Sequence, residues 1–234
     1  MTVARRFLPL LAAAVLALGG AAAAAAPVRV PAQARQDWTR TVVATPEGGF
    51  RMGNPAAAVK VVEYVSLTCP HCRHFAEAGA PVLIADHVAS GRVSFEIRPF
   101  PLDPIAAIGS QLNRCAAPDR AFAFNDAILA SQESWFARLD ALGPAELAGL
   151  NGLHGAALRQ RVAALAGFDA IAASHGVDAA SCLADDAGAA RIDEIKAAAE
   201  ALGVQGTPSF LINGTLAPNA YDWAALEPLL RAGR

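Results

Sequence analysis

The chain has 234 residues, enough for one large domain or a domain carrying an insertion, and its formal net charge of −2 is spread without long runs of either sign. That balance offers no field for nucleic acid or for an anionic membrane surface, which argues against polyanion binding. Alanine inflates the 54% hydrophobic content and favours helix, so a helix-rich soluble protein is expected.

At the N-terminus Arg5 and Arg6 supply a basic start, Phe7 to Leu18 an apolar stretch and Ala21 to Ala26 a run of small residues, the three parts of an export signal. Residues 1–25 are read as a signal peptide cut after Ala24 or Ala25. An uncleaved anchor is the alternative, weakened because the apolar stretch is mostly alanine. Phe7-Leu8-Pro9 fits a twin-arginine signal poorly, so the general secretory route is expected. Both readings put the folded part outside the cytoplasm, in the periplasm or an equivalent space.

A linker over 26–36 leads to the first part of the fold, 37–102. Thr39 to Ala44 reads as an edge strand, followed by the turn Pro46-Glu47-Gly48-Gly49. Val59 to Val65 is apolar on both faces, as a central strand covered on both sides should be. Residues 70–89 read as a helix with Pro70 in its first turn and Pro81 as a kink, and after Gly91 the alternation of Val93, Phe95 and Ile97 marks another strand. From Asp103 to about Ala201 apolar residues recur at helical spacing between breaks at Pro118, Pro144, Gly167 and Gly176. We assign 103–190 to an all-helical insert and 191–234 to the returning part of the fold. The last helix of the helical stretch should keep Ile192, Ile195, Ala199 and Leu202 on one face, with Asp185 or Asp186 near its start and Gly203 closing it. Ser209 to Ile212, the turn Asn213-Gly214 and Thr215-Leu216 form a hairpin before a terminal helix from Asp222 to Leu230. The order is βαβ, helical insert, ββα.

Two segments carry a resemblance: Val62-Glu63-Tyr64-Val65-Ser66 running into Cys69-Pro70-His71-Cys72, and Gly206-Thr207-Pro208-Ser209-Phe210. With the element order, they make the chain resemble the DsbA family of periplasmic thiol-disulfide oxidoreductases over nearly all of its length past the signal. The resemblance implies an α/β thioredoxin fold interrupted by a helical subdomain, a cis peptide at Pro208 that presents backbone groups to a bound peptide, and no cofactor. It also implies newly exported, cysteine-containing clients and a membrane reoxidant of the DsbB kind. An ordinary trans turn proline is the alternative for Pro208. The residue before the cis-proline is Val in the best-known oxidants of the family and Thr in several isomerases; here it is Thr207, which leaves an isomerase or reductase open.

The cysteine pair also argues for itself. A strand ending at a helix N-terminus puts Cys69 at the N-cap, Pro70 at N1, His71 at N2 and Cys72 at N3. Unpaired backbone N–H groups, the helix dipole and the His71 imidazole then all favour a Cys69 thiolate. Lowering a thiol from about 8.5 into the range of roughly 3.5 to 7.5 is worth about 1.4 to 7 kcal/mol of thiolate preference, a gain the disulfide lacks. The oxidised form is then the high-energy one and gives its disulfide away, as in DsbA enzymes. Cys69 is expected to be the exposed, attacked sulfur and Cys72 the resolving one.

A static disulfide and a metal site using His71 and His74 are the competing readings. A structural zinc wants a tetrahedral array that two histidines on the same short helix as both thiols could hardly complete. A c-type haem would need histidine where Arg73 stands. No metal ligands are assigned, and His87, His154 and His175 receive no role.

Glu63, inside an apolar strand, should have a raised pKa if buried, and the resemblance gives it a proton-transfer role toward Cys72. An edge-facing, solvated Glu63 is the alternative. Cys115 and Cys182, the remaining cysteines of an exported chain, suggest a structural disulfide across the insert, with two buried thiols as the other possibility. A monomer without nucleic-acid partners is expected.

Overall fold

The structure is a computed structural model that describes Thr2 and residues 36–232, so the expected signal peptide and nearly all of the expected linker lie outside the described residues. Strands β1 (Val42–Ala44), β2 (Phe50–Gly53), β3 (Val59–Val65), β4 (Val93–Pro99), β5 (Ser209–Ile212) and β6 (Thr215–Ala217) form one sheet in the order β1-β2-β4-β3-β5-β6. β3 lies between β4, to which it is parallel, and β5, to which it is antiparallel, and only Lys60 of its seven residues is exposed. A strand paired on both edges and covered on both faces needs a nearly continuous apolar run, and 59–65 provides it.

Two details at the start of the chain differ from the sequence reading. Trp38–Arg40 is a 3-10 turn, so the first strand is shortened to β1. Asp37 ends the extended chain there, its carboxylate accepting from the Thr39 backbone N–H at 3.0 Å and the Thr39 hydroxyl at 2.7 Å. β2, absent from the sequence reading, pairs antiparallel with both β1 and β4. Its four residues are too few for periodicity to register, and it exists because Phe50 and Met52 find Ile97 and Phe95 across the sheet.

The helix after β3 is built in four pieces: α1 (Pro70–His74), a π-helical turn (Phe75–Gly79), α2 (Ala80–Val82) and a second π-helical turn (Leu83–Val88). Pro81 lacks an N–H and its ring would crowd the carbonyl four residues back, so wide turns on either side accommodate it. Helices α3 (Pro104–Arg114), α4 (Pro118–Ala130), α5 (Gln132–Asp140), α6 (Pro144–Ala148), α7 (Gly155–Ala166), α8 (Phe168–Ser174) and α9 (Ala179–Ala184) follow. α10 (Asp186–Ala201) then runs unbroken past residue 190 to the β5–β6 hairpin and the terminal α11 (Trp223–Ala232). Asp185 caps α10 by accepting from the Ala187 N–H. Ile192, Ile195 and Ala199 are buried as expected, but Leu202 is 50% exposed: it is the C-cap residue, already off the helix stripe.

Sheet and helices share one hydrophobic core in which Cys72 is embedded with Phe75, Phe95, Phe122 and Phe210. The Phe75 ring packs edge-on to Phe210 at 4.7 Å and to Phe95 at 6.3 Å, each such side chain contributing roughly 1.5–3 kcal/mol by burial. Cys115, at the end of α3, is bridged to Cys182 in α9, with Cα atoms 6.2 Å apart.

Candidate active site

β3 delivers the chain through Ser66-Leu67-Thr68 to Cys69, which has extended backbone (φ −81°, ψ 121°) and forms the N-cap of α1, with Pro70 in the first helical position. The Cys69 carbonyl accepts the Arg73 N–H at 3.2 Å, starting the helix, while the Cys69 N–H donates to the Ser66 carbonyl at 3.1 Å. Cys69 and Cys72 are both free thiols. Cys72 is completely buried. Cys69 was expected to be exposed and is only 5% exposed, because the loop before β5 lies against it: its thiol donates to the Thr207 carbonyl at 3.2 Å. The Thr207–Pro208 peptide is cis, and the Thr207 hydroxyl oxygen is buried with no hydrogen-bond partner. Pro70 and His71 stand exposed at the rim.

The two sulfurs are pushed in opposite directions. Cys69 is lowered from 9.0 to about 5, chiefly by a hydrogen bond from the Cys72 thiol; Thr207 and the backbone N–H groups of Cys72 and His71 add to this against the opposing effect of burial. The sequence reading gave His71 an electrostatic part through its imidazole; what acts on the sulfur is its backbone N–H, while the exposed ring is not among the causes. Cys72 is raised well above 9.0, first by burial, then by the hydrogen bond it gives Cys69 and by the charge of Glu63.

Glu63 is 4% exposed, in register with Ile97 on one side and Phe210 on the other, and so is not an edge residue. Burial raises its pKa well above the usual carboxylate range, and the charges of Asp126, on α4, and Cys69 raise it further. Burial thus favours the neutral, protonated form of both Glu63 and Cys72.

Sequence reasoning missed the contribution of α5. The Gln132 side chain, 3% exposed, donates from Nε2 to the Leu67 carbonyl at 2.8 Å and to the Cys69 carbonyl at 3.0 Å. Its neighbour Glu133 pairs with Arg73 of α1 at 2.7 Å. A glutamine on a helix 63 positions away carries no local signal of this contact. Among the described residues no group of three or more His, Cys, Asp or Glu is placed to hold a metal ion.

A family model described as Thioredoxin matches residues 45–232. A crystal structure of a protein-disulfide isomerase from Novosphingobium aromaticivorans is similar at 32% identity over 79% of this chain and 96% of its own, with a TM-score of 0.71. The crystal structure of α-DsbA1 from Wolbachia pipientis is similar at 25% identity over 78% of this chain and 88% of its own, with a TM-score of 0.57. A Rickettsia bellii protein named as a protein-disulfide oxidoreductase is 31% identical over 90 residues, and this chain spans 35% of its length. The chain belongs to the thioredoxin family and, within it, to the DsbA-like protein-disulfide oxidoreductases.

Proposed function

We propose that the protein introduces disulfides into exported proteins by thiol-disulfide exchange through Cys69 and Cys72. The observation that carries this reading is the opposite bias on the two sulfurs, Cys69 held near 5 and Cys72 well above the ordinary thiol value. A client thiolate attacks Cys69 Sγ of the oxidised pair. The Cys69–Cys72 bond breaks, its electron pair goes to Cys72 Sγ, and Cys72 takes a proton from Glu63. A second client thiolate then attacks the client sulfur of the mixed disulfide, and Cys69 leaves as a stabilised thiolate. The client is oxidised by two electrons and the enzyme is left as the dithiol.

Because the thiolate is favoured only in the reduced enzyme, the reaction runs toward client disulfide. Extended client segments dock against the backbone at Thr207 and Pro208, work in the periplasm or an equivalent oxidising space, and a DsbB-like membrane partner restores the disulfide. The enzyme works as a monomer without cofactor. The equilibrium of the Cys69–Cys72 pair with glutathione tests the reading: a potential well above that of the glutathione pool is expected, and one below it would leave the protein a reductase.

Isomerase activity is the second reading, favoured by Thr207 and by the name of the Novosphingobium relative. Reactivation of a protein with scrambled disulfides, compared with oxidation of the same protein fully reduced, separates the two.

A further inference from the structure

We propose that Gln132 is a positioning residue for the redox pair, setting the proton affinity of Cys69 from the helical insert. The inference rests on the redox reading of Cys69. Leu67 and Cys69 flank the last turn before α1, and their carbonyls lie in a buried region where neither can turn to water. Gln132 Nε2 has two hydrogens and gives one to each, at 2.8 and 3.0 Å. This does two things to the sulfur. It fixes the Leu67–Thr68 and Cys69–Pro70 peptide planes, and so the orientation in which the His71 and Cys72 N–H groups face Cys69 Sγ. It also sets the positive end of an amide dipole against the Cys69 peptide, opposing the partial negative charge of two carbonyls close to a thiolate.

The position of the amide is itself over-determined. Ser131 breaks the chain between α4 and α5, its hydroxyl donating back to the Ala127 carbonyl at 2.8 Å, so that α5 opens on Gln132. The Glu133–Arg73 pair ties the same turn to α1. Trp135, 1% exposed, anchors the helix from beneath, its indole N–H donating to the Ile128 carbonyl at 3.0 Å. α5 therefore presents the amide from a fixed support, and the insert becomes part of the active site.

Gln132→Met keeps the length of the side chain and removes both donors. The thiolate midpoint of Cys69 and the equilibrium with glutathione at pH 7 are measured in the full chain, with Gln111→Met as a control that loses two buried amide hydrogen bonds, to the Cys182 and Asp185 carbonyls, without touching the cysteine loop. In Gln132→Met the midpoint should rise by about one pH unit and the equilibrium move about tenfold toward the disulfide. Gln111→Met should lower the melting temperature and leave both unchanged. If Gln132→Met lowers the melting temperature while midpoint and equilibrium stay at the wild-type values, Gln132 is structural and the proposal is overturned. Should that variant fail to fold, Gln132→Leu, whose side chain donates nothing, must move the equilibrium in the same direction. An unchanged equilibrium in it overturns the proposal equally. A wild-type midpoint near that of a free thiol would instead remove the redox reading on which the inference stands.

Discussion

The Cys69 thiol donates a hydrogen bond to the carbonyl of Thr207, 138 residues further along the chain, at 3.2 Å. That contact joins the two halves of the fold at the sulfur. Deprotonation of Cys69 removes the donor of this bond and frees the Thr207 carbonyl, leaving it open, under the proposed client docking, to an incoming backbone N–H.

The first prediction concerns stability and pH. Cys69 in the folded dithiol lies near 5 against an ordinary 9.0, a depressed pKa. The stability it confers is therefore fully present above 9 and is lost as pH falls through 5. The disulfide form has no such dependence. The melting temperature of the reduced protein, measured relative to the oxidised protein, should fall steadily between pH 9 and pH 5. A constant difference across that window would contradict the depressed thiol.

Glu63 has the opposite sign. Its folded pKa is raised, so the native state holds a proton that the unfolded chain releases near 4.5, and the associated stability is lost as pH rises from there through the folded value. Glu63→Gln cannot ionise. It should match the wild type near pH 4 and become progressively more stable than it toward neutral pH, while slowing formation of the mixed disulfide, the step that expels Cys72, because Cys72 loses its proton donor. Chemical denaturation at a series of pH values, together with the rate of the first exchange step, checks both halves.

Cys72→Ser cannot form the internal disulfide, but attack by the Cys69 thiolate on a client disulfide should remain, with no Cys72 thiol to release the adduct. In Cys72→Ser, Cys69 loses its largest source of depression, the hydrogen bond from Cys72, in part only, because a hydroxyl can still donate. The variant should accumulate mixed disulfides through Cys69 that are seen by mass and reversed by reductant. Absence of adducts would reverse the roles given to the two sulfurs.

The Cys115–Cys182 bridge closes a segment of 67 residues, for which the chain-entropy model gives roughly 4 kcal/mol. Replacing both by alanine should lower the melting temperature by several degrees and leave client oxidation largely intact, since the bridge lies outside the Cys69 pocket. Oxidation activity falling in proportion to stability would instead make the bridge part of the catalytic machinery.

Much of the molecule is readable along the chain because its determinants are local. The apolar run of β3, the Pro70 start of α1, the Pro118 and Pro144 helix starts and the Asn213-Gly214 turn each declare themselves within a few residues, and the Cys69-Pro70-His71-Cys72 run names its own chemistry. Whether Glu63 is buried, where the Thr207 carbonyl lies, the existence of β2 and the reach of Gln132 are not local properties. Each depends on segments tens of residues apart arriving at one place. The energies involved, desolvation of one carboxyl group or two amide hydrogens shared between buried carbonyls, exist only once the core has closed around them. Composition and spacing thus determine which sulfurs react, and tertiary packing decides how strongly, because a thiol acquires its proton affinity from groups the fold brings to it rather than from its neighbours in the chain.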